Sequence, residues 1–259
     1  MGVSLFDIDV YPTSEPSLQN RSRVSIAAQG PNHCKVYAEH FSSWDIMARF
    51  GPSHPEIPSA FFSDFSRMAL DESKHFSLLV SRLSEISPST PYGSLPVHAG
   101  LWESAATTAN SLRARLAIIH LVHEARGLDV NPGTIDRFRR SGDLESVKVL
   151  EVIHHDEVTH VTSGHRWFTW ICQQQGVDPV KTFREEVRRG WRGEIKGPFN
   201  VEARDIAGMT RDFYEDLRGE MDTPANHDTM LKDANARPAD NQSSAPSLHV
   251  DYEKGSCTY

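Results

Sequence analysis

The sequence predicts an all-α fold: a four-helix bundle with one long crossover connection, followed by a C-terminal helical extension. Two observations carry this reading. Apolar residues recur at steps of three and four through four long segments, and no segment of any length alternates with the period of two that a strand needs. The connection between the second and third segments is rich in proline and glycine and longer than a simple interhelical turn, as a single crossover requires.

Residues 1–32 contain Ser, Pro and Asn with little periodicity and read as a poorly ordered lead-in. The first helix is expected from His33 to Phe50, ending at "GPSHPEIP". The second, Ser59 to Ile86, sets Phe62, Phe65, Met68, Glu72, His75, Leu79 and Leu83 along one face. After "SPSTPYGSLPVHAG" a third helix is expected from Leu101 to Arg126, carrying Leu112, Leu116, Leu121 and Glu124 and stopping at Gly127. The fourth spans Leu144 to Gln175, with Leu150, Ile153, Glu157, His160, Gly164 and Trp167 or Phe168 inward. A further helix is expected at Pro179–Arg192, then the strap "IKGPFNVEARDIAGM", then a short helix at Thr210–Glu220. The bundle domain with its strap thus covers 33–220, and the polar stretch 221–259 reads as a disordered tail.

Composition narrows the function. With 38% hydrophobic residues among 259 the chain can build a sizeable core. A formal charge of −8, without a run of lysines or arginines, disfavours nucleic acid and anionic membrane as partners and leaves a small molecule. Cys34, Cys172 and Cys257 form no CxxC pair, which argues against a disulfide framework or a thiolate zinc site. The start of the chain does not have a signal-peptide pattern and no 18-residue apolar run occurs, so a cytoplasmic protein without membrane anchor is expected.

The sharpest signal is a motif written twice, "DESKH" at Asp71–His75 and "DEVTH" at Asp156–His160. A Glu and a His three apart share one helical face, and a bare carboxylate on an inward face is costly unless something compensates it. Two metal ions would do so. Di-iron bundles take one Glu from each of two helices and a Glu-x-x-His pair from each of the other two. Glu72 with His75, then Glu124, then Glu157 with His160 follow that order. Carboxylate oxygens with few imidazoles favour iron, with manganese second, over zinc. Asp71 and Asp156 are then placed to orient a histidine across the bundle, and His120, one turn before Glu124, to line the site. Glu151-x-x-His154 is a chance match rotated off the inward face.

The segments "SWDIMARF", "MALDESKHFSLL", "YGSLPVHAGLWESA", "LVHEARGLDVNPGTI" and "DEVTHVTSGHRWFTW" resemble the DUF455 family of ferritin-like proteins across about Ser43 to Tyr214. The resemblance implies a ferritin-like fold, a di-iron centre and the ligand set Glu72, His75, Glu124, Glu157 and His160. It also implies a first-helix Glu where Val36 stands. Glu39 is the nearest substitute, and it precedes Glu72 by the same interval as Glu124 precedes Glu157. Three readings of this end stay open: Glu39 completes the site, five protein ligands and water suffice, or the segment is a damaged version of the family's.

The expected function is a di-iron oxygenase or oxidase acting with dioxygen on a small organic substrate, as a monomer or small homo-oligomer, with no catalytic group assigned beyond the ligands. The rivals are a metal-depleted bundle serving as a scaffold and an iron-oxidising, iron-binding protein.

Overall fold

The computed structural model describes residues 31–93 and 100–221, with side chains from Phe41 onward. Its order is α1 (Pro31–Phe50), α2 (Ser59–Ile86), α3 (Gly100–Thr107), α4 (Leu112–Arg115), a π-helical segment (Leu116–His123), α5 (Glu124–Arg140), α6 (Leu144–Gln174), α7 (Pro179–Gly190), β1 (Arg192–Glu194), α8 (Val201–Ile206), α9 (Arg211–Tyr214) and β2 (Arg218–Glu220). Among the described residues the fold is all-α apart from one two-stranded antiparallel pair. The expected lead-in and tail fall on residues outside those described, except that Pro31 and Asn32 already belong to α1 and Met221 is still buried.

The two helices with the longest amphipathic stripes run as the periodicity predicts. In α2 the stripe Phe65, Met68, Glu72, His75, Leu79 is buried as expected, with Phe61 rather than the expected Phe62 buried at its start and Leu83 only half-buried, and Pro58, extended, starts the helix. Asp143 caps α6 by accepting from the Ser146 amide, and Gly176, at φ 67°, turns the chain beyond its end. The two helices pack antiparallel, Asp64 accepting from Trp167 Nε1 at one end and Arg82 Nε donating to Ser146 Oγ at the other.

The expected third helix is corrected at both ends. It breaks after Thr107, because the Arg115 guanidinium takes Thr108 Oγ1 and the Ala105 carbonyl and ties that turn into the core, while Ser111 caps the restart. It then continues past Gly127 and through Pro132 to Arg140. Proline removes the amide that would bond to the carbonyl four residues back, here Leu128. Asn200 Nδ2 donates to that carbonyl at 3.2 Å, so the strap supplies what the proline lacks. Arg204 fastens the same joint with Nε and Nη2 on Asp129 at 2.9 and 2.7 Å, both side chains buried.

The C-terminal segment also differs from expectation. The strap contains α8, the helix expected over Thr210–Glu220 is the single turn α9, and the chain then forms β2 on β1. The paired tripeptides are both Arg-Gly-Glu, so each arginine faces a glutamate across the register. Gly219 is obligatory there, since a Cβ would stand 2.0 Å from the Trp191 carbonyl oxygen.

The larger apolar core gathers Ile46, Phe61, Phe65, Met68, Leu116, Val161 and Phe168, and a smaller one gathers Leu79, Ile135, Val147, Leu150 and Ile153. On α2 the gap between the clusters is occupied by Glu72 and His75, and on α6 by Glu157 and His160. Among the described residues no helix is long and apolar enough to cross a membrane.

Candidate metal centre

Two copies of one motif on antiparallel neighbours face each other with equivalent positions exchanged. His75 Nε2 lies 2.9 Å from Asp156 Oδ2, and His160 Nε2 lies 3.6 Å from Asp71 Oδ2, so each aspartate meets the histidine of the other helix. Lys74 spans the rim between them, donating to Asp71 at 3.0 Å and Asp156 at 2.6 Å. With Nε2 turned to an aspartate, each imidazole has Nδ1 toward the interior. His75 Nδ1 is 3.4 Å and His160 Nδ1 is 3.1 Å from the same atom, Glu72 Oε1.

The inner groups are almost fully buried: Glu72, His75 and Glu124 at 0% exposure, Glu157 and His160 at 2%. They fall into two triads of potential ligand atoms, each within 4.8 Å: Glu72, His75, Glu157 and Glu72, Glu124, His160. Glu72 belongs to both. Neither of its oxygens accepts a hydrogen bond, nor does Nδ1 of His75 or either ring nitrogen of His160 take part in one, despite the short approaches. Buried polar atoms left without hydrogen bonds cost about 1–3 kcal/mol each, so the cluster is incomplete as a purely internal network.

Its electrostatics tell the same story. Burial alone would raise the Glu72 carboxyl, but the His160 and His75 imidazoles outweigh it and hold the group at about 2. Burial opposes protonation of His160, and the carboxylates of Asp71, Glu72 and Glu124 overcome it, raising it well above the ordinary histidine range. His75 is raised too, against burial, by Glu72 and Asp156. His160 and Lys74 hold Asp71 below the usual carboxylate range. Positive charge on the two imidazoles is thus favoured by the carboxylates around them. Divalent cations would supply it instead, with the imidazoles neutral.

Glu124 opens α5 directly after the π-helical segment, a stretch expected from sequence to be regular helix. Such segments re-aim side chains and are frequent at functional sites. His120 lies inside it, with Nδ1 3.8 Å from Glu124 Oε1 and its ring edge-on to Phe65 at 4.9 Å between centroids. Gly164 of α6 allows this: a Cβ there would come within 2.8 Å of His120 Cβ and 3.1 Å of its carbonyl oxygen. Burial, Arg115 and His160 push His120 down to about 3, which keeps it neutral.

Some sequence candidates lie elsewhere. Glu151 is exposed and pairs with Arg139, and His154 is half-buried beside it, apart from both triads. Cys172 is a buried free thiol, raised by burial to about 11, and belongs to neither triad. The Glu39 side chain, like those of Lys35 and Val36, lies outside the described residues. Lys74 and the buried pair Asp45–Arg115, 2.6 Å apart, are absent from the sequence candidates. Arg115 had a visible signal, a cation at core spacing three residues after Leu112 inside "LRARLAIIHL".

The donor set suits a hard divalent cation. It is made of carboxylate oxygens and imidazole nitrogens without thiolate, which is the chemistry of iron and manganese sites. Ligand atoms 3.1–3.8 Å apart are compatible with sharing one ion, since two atoms about 2.1 Å from the same ion stand roughly 3.0–4.2 Å apart.

Among curated proteins, an uncharacterized protein of Haemophilus influenzae is 37% identical over 170 residues, 64% of this chain. The alignment spans 58% of that relative's own length. No solved structure matches the chain. A family model described as "Protein of unknown function (DUF455)" matches residues 38–215, which takes in the π-helical segment, both triads and the strap that braces Pro132. The chain belongs to the DUF455 family.

Proposed function

We propose that this chain is a ferritin-like four-helix bundle, with α1, α2, the α4–π–α5 helix and α6 as its four members, that holds two iron ions and works as a dioxygen-dependent oxidoreductase on a small organic molecule. The observation that carries the reading is the buried pair of triads sharing Glu72, with hydrogen-bonding capacity left unused. Glu72 would serve both ions, His75 and Glu157 the first, His160 and Glu124 the second. Manganese fits the same donors.

The chain's own residues divide the work. Asp156 fixes the His75 imidazole plane by taking its outer N–H, which also raises the basicity of Nδ1, and Asp71, 3.6 Å from His160 Nε2, is placed to do the same for His160. Phe65, Met68 and Val161 on one side and Leu79, Leu150 and Ile153 on the other keep bulk water from the carboxylates and strengthen every charge interaction between them. When bound, a pair of ferrous ions supplies the electrons for reducing dioxygen. The −8 net charge and the absence of a basic stretch support a small-molecule partner over nucleic acid.

Anaerobic loading with ferrous iron, gel filtration and metal analysis test this. About two irons per chain are expected. Iron at background on a protein whose circular dichroism remains helical overturns the reading.

A further inference from the structure

We propose that His120 is itself a metal ligand, a third imidazole joining the triad of Glu72, Glu124 and His160. This rests on the reading of the cluster as a metal centre and goes beyond it, because the repeated motif accounts for two histidines only.

Three observations converge on His120. It is 0% exposed and neither ring nitrogen has a hydrogen-bond partner, whereas His75, the other fully buried imidazole of the cluster, has Nε2 on Asp156. A histidine serving only to fill the core would be replaced at a gain by an apolar residue of similar size, since two orphaned ring nitrogens carry a desolvation penalty and no return. Second, His120 belongs to neither triad, but its Nδ1 stands 3.8 Å from Glu124 Oε1, within the span of two ligands on one ion. Third, the surroundings are arranged to bring it there. The π-helical segment sets the phase of His120 relative to Glu124, and Gly164 opens the space for its Cβ and carbonyl against α6.

The consequence is an asymmetric centre. The ion between Glu72, His75 and Glu157 has one imidazole, and the ion between Glu72, Glu124 and His160 has two, although the Asp-Glu-x-x-His motifs that frame them are equivalent. Softer nitrogen donation on one side distinguishes the two ions in affinity and in redox behaviour.

The test uses full-length protein stripped with a chelator and reloaded with Co(II), read by absorption and by proton NMR of hyperfine-shifted, exchangeable imidazole N–H signals. Wild type is expected to bind two ions and show three such signals. His120→Phe is expected to remain folded, to show two signals, and to bind its weaker ion at least ~10-fold less tightly, the lower end of what is lost with a supporting group alone. His120→Leu separates ring size from ligation and is expected to behave alike. Wild type with two ions and two signals overturns the inference while leaving the metal centre standing, as does a His120→Phe protein that keeps both affinities. Failure of wild type to take up any Co(II) overturns the centre itself.

Discussion

Two charged clusters are buried side by side in this protein, and they are built on opposite terms. Around Arg115 everything is answered: the guanidinium donates to Asp45 at 2.6 Å, to Thr108 Oγ1 at 2.9 Å and to the Ala105 carbonyl at 2.7 Å, while Arg49 adds a second cation to Asp45. Around Glu72 the polar atoms approach one another closely without completing hydrogen bonds. A closed network of the first kind holds α1 to the turn before α4 and gives that corner one arrangement. An open network of the second kind has capacity reserved for something the protein chain does not contain. Burial alone therefore does not identify a functional site; burial with unmet bonding does.

The comparison breaks most visibly if its closed member is opened. Arg115→Met takes one of two cations from the buried Asp45 carboxylate, and removing one partner of a buried pair costs about 3–5 kcal/mol. Thermal unfolding of the metal-free protein is expected to move down by roughly 10 °C. A midpoint unchanged within a degree or two would show that the corner is not held by this pair.

The same measurement on the open member gives a smaller effect. Glu72→Leu removes a carboxylate whose two oxygens accept no hydrogen bond but which faces two imidazoles, so the metal-free protein is expected to melt within a few degrees of wild type. What it loses is the response to metal. Wild type at free metal a thousandfold above the dissociation constant gains about 4 kcal/mol, and the variant is expected to gain almost none. A metal-free Glu72→Leu protein destabilised by more than about 2 kcal/mol would make this cluster structural after all.

Glycines sharpen the contrast at lower amplitude. At Gly164 an added methyl meets His120 at 2.8 Å and forces α6 off the π-helical segment, for which about 1–3 kcal/mol is expected, together with weaker metal binding. At Gly133 in α5 nothing lies within 4 Å, and Gly133→Ala is expected to stabilise by up to about 1 kcal/mol through helix propensity. Chemical denaturation of the two variants side by side checks both signs.

What the sequence made legible follows the length of its patterns. The bounds of α2 and α6 could be read because each keeps one stripe over many turns, and the repeated motif stands out on that stripe. The third helix was misjudged because Gly127 and Pro132 are local stop signals, overruled by Asn200 and Arg204 from far along the chain. Three-residue strands have no period to detect, so β1 and β2 were invisible. The π-helical segment was hidden for a similar reason, since one extra residue per turn leaves the apolar run "LAIIHLV" looking like any buried helix.

Lys74 provides the smallest and most discriminating change. It occupies the third position after the motif's Asp71, where the other copy has Thr159, and it departs from the exchange symmetry at the rim. Being partly exposed, its ion pairs with Asp71 and Asp156 are worth at most about 1 kcal/mol to the fold. Asp156 also holds the outer nitrogen of His75, and Asp71 faces that of His160 at 3.6 Å, so the lysine ties together the two carboxylates that flank the inner imidazoles. Lys74→Ala is therefore expected to leave the metal-free melting temperature within a few degrees of wild type and to weaken metal binding measurably, by up to the ~10–100-fold associated with loss of an outer supporting group. Lys74→Thr, which restores the equivalence with Thr159, is expected to weaken it in the same direction, because the charge and reach that join the two aspartates are gone. Isothermal titration with Mn(II) measures the change. Affinity equal to wild type in both variants would mean that Asp71 and Asp156 position the histidines without the lysine, and that the rim is an ordinary surface ion pair.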